Sequence, residues 1–201
     1  TEEYTVTDLS GNVETCSFTV TVNDVENPVF DCPENLTISA EAGICEATVL
    51  FDTPPVTDNC DGSIVPVQTE GPASGSALPV GSTTITFEAT DPSGNVAVCS
   101  FEIIVEDDED PIIDCPDDIE IDAGIACTTI VNFLDATATD NCGVASVTQI
   151  EGPLSGTEFP VGATAVTFEA IDNSGNSIAC SFTVTVTEEG PPVITCPEDI
   201  Q

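Results

Sequence analysis

Residues 82–105 read STTITFEATDPSGNVAVCSFEIIV. Through Ala89 the apolar side chains of Ile85, Phe87 and Ala89 alternate with Thr84, Thr86 and Glu88. Period two puts one set on a buried face and the other in solvent, the pattern of a half-buried strand. A second apolar run, CSFEIIV, follows after DPSGN at 91–95. Those five residues read as a tight turn between the last two strands of a sheet. Asp91 caps it, Gly94 takes a positive φ, and Asn95 tolerates the left-handed region.

The phrase returns as TVTDLSGNVETCSF at 5–18 and EAIDNSGNSIACSF at 169–182. Its cysteines, Cys16, Cys99 and Cys180, stand 83 and 81 residues apart. Other landmarks keep the same period. FDCPENLTI, IDCPDDIEI and ITCPEDI place Cys32, Cys115 and Cys196; GIC and GIAC place Cys45 and Cys127; two TDNC segments place Cys60 and Cys142. Shared periodicity of this kind marks a tandem array. The expected organisation is the end of one repeat (1–26), two complete repeats (27–108 and 109–190) and the start of another (191–201). That register also predicts a longer protein around the segment.

Further alternating runs, SFTVTV at 17–22 and 181–186 and LTISAEA at 36–42, are separated by Pro, Gly, Asn and Asp clusters, the punctuation of turns. Several short strands in about 80 residues predict an all-β fold of tandem immunoglobulin-like β-sandwich domains, arranged as an elongated rod.

Composition narrows the function. The 201 residues hold 37 Asp and Glu and no Lys, Arg or His, for a net charge of −37. Such a charge suggests disorder, but 40% hydrophobic content and clean alternation argue for a folded chain. Nucleic acid and anionic membranes are disfavoured partners, and no apolar run approaches the ~20 residues of a membrane span. With no internal cation, the carboxylates must be neutralised from solvent.

Ten cysteines without histidine or a CxxC pair argue against zinc and for disulfides formed outside the cell. Two pairings compete. One links neighbouring repeats through Cys16–Cys32, Cys99–Cys115 and Cys180–Cys196. The other closes each repeat through Cys32–Cys99 and Cys115–Cys180, leaving the partners of Cys16 and Cys196 in adjoining repeats. Sixteen extended residues between Cys99 and Cys115 span up to ~50 Å, whereas a disulfide needs Cα atoms within about 7 Å. The first and last strands of a seven-stranded sandwich run parallel from the same end, which favours the self-closing scheme. Elimination then pairs Cys45 with Cys60 and Cys127 with Cys142, although DTPPVTDN at 52–59 must double back to allow it.

Taken in order, CPENLTI, GIC…VTDNC, ALPVGSTTITFEATDPSGN and CSFEIIV resemble the hyalin repeat (HYR) domain along essentially the whole chain. The resemblance implies an immunoglobulin-like sandwich and a role in cell adhesion or extracellular matrix. Cysteine-rich tandem copies also resemble those of large secreted surface proteins of Bacteroidota, including gliding-motility adhesins, which implies a cell-surface filament or stalk.

Two readings of D-x-S-G-N stand side by side. A capped turn is sufficient by itself. Alternatively, the turn faces the TDNC loop and the incoming acidic linker at one end of the sandwich, and together they bind a hard divalent cation through oxygen ligands. That second reading expects calcium (Ca2+) at Asp24, Glu26, Asp58, Asn59, Asp91 and Asn95, and again at Asp107, Asp108, Asp110, Asp140, Asn141, Asp172 and Asn176. The leading function is then a non-catalytic repeat of a surface fibre, contacting neighbouring repeats and through them other fibres or surface glycans. A carbohydrate- or protein-binding module is the alternative, but there is no Trp and Tyr4 is the only tyrosine. An enzyme working through paired carboxylates would lack any His, Lys or Arg to assist and would recur in every repeat.

Overall fold

The computed structural model describes residues 1–60 and 62–190. It is all-β, and no helix occurs among the described residues. The strands run β1 (Glu2–Thr7), β2 (Val13–Phe18), β3 (Val29–Phe30), β4 (Leu36–Ser39), β5 (Glu46–Thr48), β6 (Val56–Thr57), β7 (Val67–Glu70), β8 (Ala77–Pro79), β9 (Gly81–Thr90) and β10 (Val96–Glu106). They continue as β11 (Ile112–Asp114), β12 (Ile119–Asp122), β13 (Thr128–Val131), β14 (Thr137–Thr139), β15 (Val144–Glu151), β16 (Thr157–Pro160), β17 (Gly162–Asp172) and β18 (Ser177–Thr187). Two compact units result. The first holds Thr1–Leu36, Leu50–Ser76 and Thr83–Ile103; the second holds Thr37–Val49, Ala77–Ser82 and the described residues from Ile104.

One strand plan occurs twice. A four-stranded sheet has the order β4-β10-β9-β7 and again β12-β18-β17-β15; the pairs β3-β6 and β5-β8 recur as β11-β14 and β13-β16. β12, the strand that follows Cys115, runs parallel to the last strand β18, with Ile119 opposite Val184, in the parallel sense expected of them. β17 and β18 form a long antiparallel hairpin from Gly162↔Val186 to Ile171↔Ser177.

The alternation of the sequence becomes a sandwich core. In the second unit Val166 and Phe168 from β17 and Phe182, Val184 and Val186 from β18 meet Val131 of β13 and Phe159 of β16, all buried. Phe133 closes the layer edge-on to Phe159, Phe168 and Phe182, with ring centroids 6.2, 6.4 and 5.1 Å away. Each such large apolar side chain contributes about 1.5–3 kcal/mol by leaving water.

Two predicted strands are shorter than their patterns. The run at 17–22 stays in β2 only to Phe18, and 36–42 only to Ser39. Alternation makes a strand only where a neighbour supplies the ladder. In β18 the run at 181–186 lies between β12 and β17, whereas 19–22 has no paired strand among the described residues.

Disulfides join Cys32 to Cys99 and Cys115 to Cys180, with Cα atoms 5.8 and 5.9 Å apart. The expected bonds Cys45–Cys60 and Cys127–Cys142 do not form. Cys45 is bonded to Cys142, while Cys60 and Cys127 are free, as is Cys16. The reason lies in strand pairing. β5, which starts beside Cys45, pairs with β8, whereas β6, just before Cys60, pairs with β3 in a different sheet. The segment between them therefore never turns back on Cys45. Cys196 and the expected repeat start at 191–201 lie outside the described residues.

Candidate metal centres

The D-x-S-G-N phrase folds alike in all three copies. Asp172 accepts backbone N–H bonds at Oδ1 from Ser174, Gly175 and Asn176 at 2.8, 2.6 and 2.8 Å, while Asn176 Nδ2 donates to Oδ2 at 2.8 Å. Asp8 accepts from the N–H groups of Ser10 and Asn12, and from Asn12 Nδ2 at 2.7 Å. Asp91 accepts from Asn95 N at 2.8 Å and Asn95 Nδ2 at 2.7 Å. Gly11, Gly94 and Gly175 have φ of 84°, 91° and 97°, the region glycine enters without steric cost. The asparagines do not share it, because no described non-glycine residue has a positive φ. Their task is the side-chain bond back to the Asp.

These donors set the acid strength of the turn. At Asp172 burial pushes the carboxyl up, but the Asn176 side chain and the N–H groups of Asn176, Gly175 and Ser174 outweigh it and hold the group below the ordinary aspartate value. Asp91 behaves the same way, with burial opposed by Asn95, Gly94 and Ser93. The turn carboxylates are thus kept ionised.

The same asparagines reach the incoming linker. Asn176 Nδ2 donates to the carbonyl of Asp107 at 3.0 Å, and Ser174 Oγ to Asp107 Oδ2 at 3.0 Å. In the first unit Asn95 Nδ2 lies 3.4 Å from the carbonyl of Asp24. The TDNC loop closes each site. Asp140 accepts from Cys142 N at 2.7 Å and Asp58 from Cys60 N at 2.9 Å, local turns that aim these carboxylates inward.

Three segments therefore bring three carboxylates together twice. One oxygen each from Asp24, Asp58 and Asp91 lies within 4.8 Å of the others, and Asp107, Asp140 and Asp172 repeat the arrangement. Asp172, Asp91 and Asp107 are only 2%, 5% and 7% exposed. Hard oxygen donors at this spacing suit a calcium-sized cation, and with no Lys, Arg or His in the chain no side-chain cation can neutralise them. Partial desolvation, then the charge and hydrogen bond of Asp24 and the charges of Asp58 and Glu26, push the exposed Cys60 thiol up.

The other expected ligands are placed differently. Asn59 Nδ2 donates to Glu26. Asp108 Oδ2 accepts from Ser39 Oγ at 2.9 Å. Asp110 and Asn141 line a cleft with Gly43, Glu109 and Asp140, and Asn141 Nδ2 lies 3.5 Å from the carbonyl of Ile44. Sequence reasoning passed over Glu109, whose Oε2 accepts the Gly43 N–H at 2.9 Å. It also passed over Ser174, although that residue lies inside the repeated D-x-S-G-N phrase.

The family comparison agrees with the twofold repeat of the chain. The HYR domain family profile matches residues 23–105 and 106–186. Hyalin of Lytechinus variegatus is 36% identical over 204 residues, covering 96% of this chain and 38% of that protein. Hyalin of Strongylocentrotus purpuratus is 35% identical over 210 residues, covering 100% and 17%. The rat sushi, von Willebrand factor type A, EGF and pentraxin domain-containing protein 1 is 33% identical over 172 residues, covering 84% and 5%. The chain thus spans well under half of each relative. Among solved structures, the Sidekick-1 immunoglobulin domains 1–4 align with a TM-score of 0.42 and 13% identity over 91% of this chain and 57% of that one. The relatives and the three disulfides point to an extracellular, adhesion-type repeat. By the family match along most of its length, this chain belongs to the HYR domain family.

Proposed function

We propose that this segment is a non-catalytic spacer in the stalk of a long cell-surface fibre, stiffened where repeats join by calcium. A bacterial surface filament, the setting the sequence resembles, is part of this reading. The observation that carries it is the recurrence of one carboxylate triad, part-buried to buried, at the entrance of each repeat, Asp24–Asp58–Asp91 and Asp107–Asp140–Asp172. Each triad draws one ligand from the linker, one from the TDNC loop and one from the D-x-S-G-N turn. A cation held there ties the linker to two loops of the domain it enters; without one, like charges push the linker away. Calcium supplies charge neutralisation and coordination, and the chain's own residues preset the geometry. Asn95 and Asn176 hold the linker carbonyl and the turn in contact, and Asp58 and Asp140 are aimed by their own backbone turns.

Partners on this reading are neighbouring repeats, with contacts to other fibres or surface glycans made along the array. The acid coat keeps fibres apart by mutual repulsion, and the lack of Lys and Arg leaves no trypsin site. The test is the distribution of inter-repeat angles by small-angle scattering, in calcium and then in chelator. A distribution that narrows in calcium and widens on chelation supports the stiffened stalk. An identical distribution in both overturns it.

A further inference from the structure

The unexpected disulfide has a consequence for the two thiols it leaves unpaired. Cys45 lies in the first family segment and Cys142 in the second, and within the second unit their Cα atoms are 4.8 Å apart. The bond therefore ties one repeat to the next. Two hydrogen bonds run the same way between the family segments, from Gly43 N to Glu109 Oε2 and from Ser39 Oγ to Asp108 Oδ2.

The repeat places Cys60 at the position of Cys142, and Cys127 at the position of Cys45. The backbone follows the sequence. Cys60 N and Cys142 N each donate to the Asp two residues earlier, at 2.9 and 2.7 Å. The carbonyls of Cys45 and Cys127 each accept from the N–H of the Val after the Leu-Pro or Phe-Pro pair, Val80 at 3.4 Å and Val161 at 3.1 Å. The free cysteines are thus presented as the bonded ones are, and both are exposed. The isoleucine near each GIC-type cysteine differs in exposure. Ile44, beside bonded Cys45, is 46% exposed, whereas Ile125, two residues before Cys127, is 98% exposed.

We propose that Cys60 and Cys127 are the two halves of the same inter-repeat bond, whose partner is another copy of this repeat. Where a copy follows, Cys127 bonds its TDNC cysteine; where one precedes, Cys60 bonds its GIC cysteine. Every junction of a tandem array then carries a covalent cross-link in addition to the peptide linker. In each bond two thiols lose two protons and two electrons as the S–S bond forms. The electrons pass to a disulfide oxidant, small-molecule or protein, whose own S–S bond is reduced to two thiols. Separating neighbouring repeats then requires reduction as well as loss of non-covalent contacts.

The inference rests on the tandem reading but not on calcium, so its test is run in chelator. Residues 109–190 are duplicated in frame after residue 190, which adds a second GIAC and a third TDNC. The chain is oxidised in glutathione buffer, alkylated, cut by Glu- and Asp-specific proteases without reduction, and mapped by mass spectrometry. The expected map keeps Cys45–Cys142 and adds a bond from Cys127 to the TDNC cysteine of the added copy. Changing that added cysteine to Ser frees Cys127 for alkylation. A Cys127 that stays alkylatable in the unsubstituted duplication, or bonds to Cys142, overturns the proposal. The unextended chain gives an independent check in a C16S/C196S background, oxidised at high concentration. Covalent dimers joined Cys127 to Cys60 support the proposal, and dimers joined Cys60 to Cys60 or Cys127 to Cys127 overturn it.

Discussion

Replacing Asp140 with Asn separates the triad's two roles, because it removes a charge while keeping the local fold. The Asp140 carboxylate accepts from Cys142 N, and an Asn Oδ1 can accept the same bond. Without calcium, Asp140 lies within 4.8 Å of Asp107 and Asp172, and each like-charged pair at that distance repels by about 1 to 3 kcal/mol. D140N relieves two such pairs, so in chelator its melting temperature should equal or exceed that of the unaltered chain. In calcium the order reverses. At a calcium concentration 100 times Kd, binding stabilises the unaltered chain by about 2.7 kcal/mol, a rise of roughly 5–10 °C for a chain of this size. Losing one of three charged ligands weakens binding by about tenfold or more, which removes about 1.4 kcal/mol of that gain. Differential scanning calorimetry of both proteins in chelator and across a calcium series measures all four states. Equal calcium shifts in the two proteins, or no shift in the unaltered chain, would refute the reasoning.

Other predictions follow from the turn, the core and the staples. Because Asp172 titrates below the ordinary aspartate value when folded, its stabilising effect is present above about pH 4 and lost as pH falls through the lower folded pKa; D172N should flatten the acid limb of a melting-temperature profile. Phe168→Ala, at a position 1% exposed against Phe133 and Phe182, should cost about 3–5 kcal/mol in urea denaturation. Gly152→Ala should also destabilise, since its φ is +89° and a Cβ would meet the Ala165 carbonyl oxygen at 2.6 Å; a denaturation midpoint no lower than that of the unaltered chain would contradict this. Removing Cys115–Cys180, which closes a separation of 65 residues, with a C115A/C180A pair should cost about 4 kcal/mol, read from the same urea midpoint.

Local chemistry made much of this protein legible in one dimension. Alternation at Ile85, Phe87 and Ala89 marks a strand whatever surrounds it, and the Asp, Gly and Asn of D-x-S-G-N form their turn from bonds spanning four residues. The net charge of −37 and the absence of any side-chain cation are properties of composition alone. The repeated TDNC and D-x-S-G-N segments, with the acidic linker before each repeat, also supplied candidate ligands in loop, turn and linker. What the sequence left open were the relations between residues far apart in the chain. Whether 19–22 extends a strand depends on a neighbour to bond, and which six carboxylates converge depends on where the loops end in space. The cysteines show this most plainly. Elimination made Cys45 and Cys60 partners within one repeat, but β5 pairs with β8 and β6 with β3. A bond forms only between sulfurs the folded backbone brings together, and that backbone brings Cys45 to Cys142, 97 residues away.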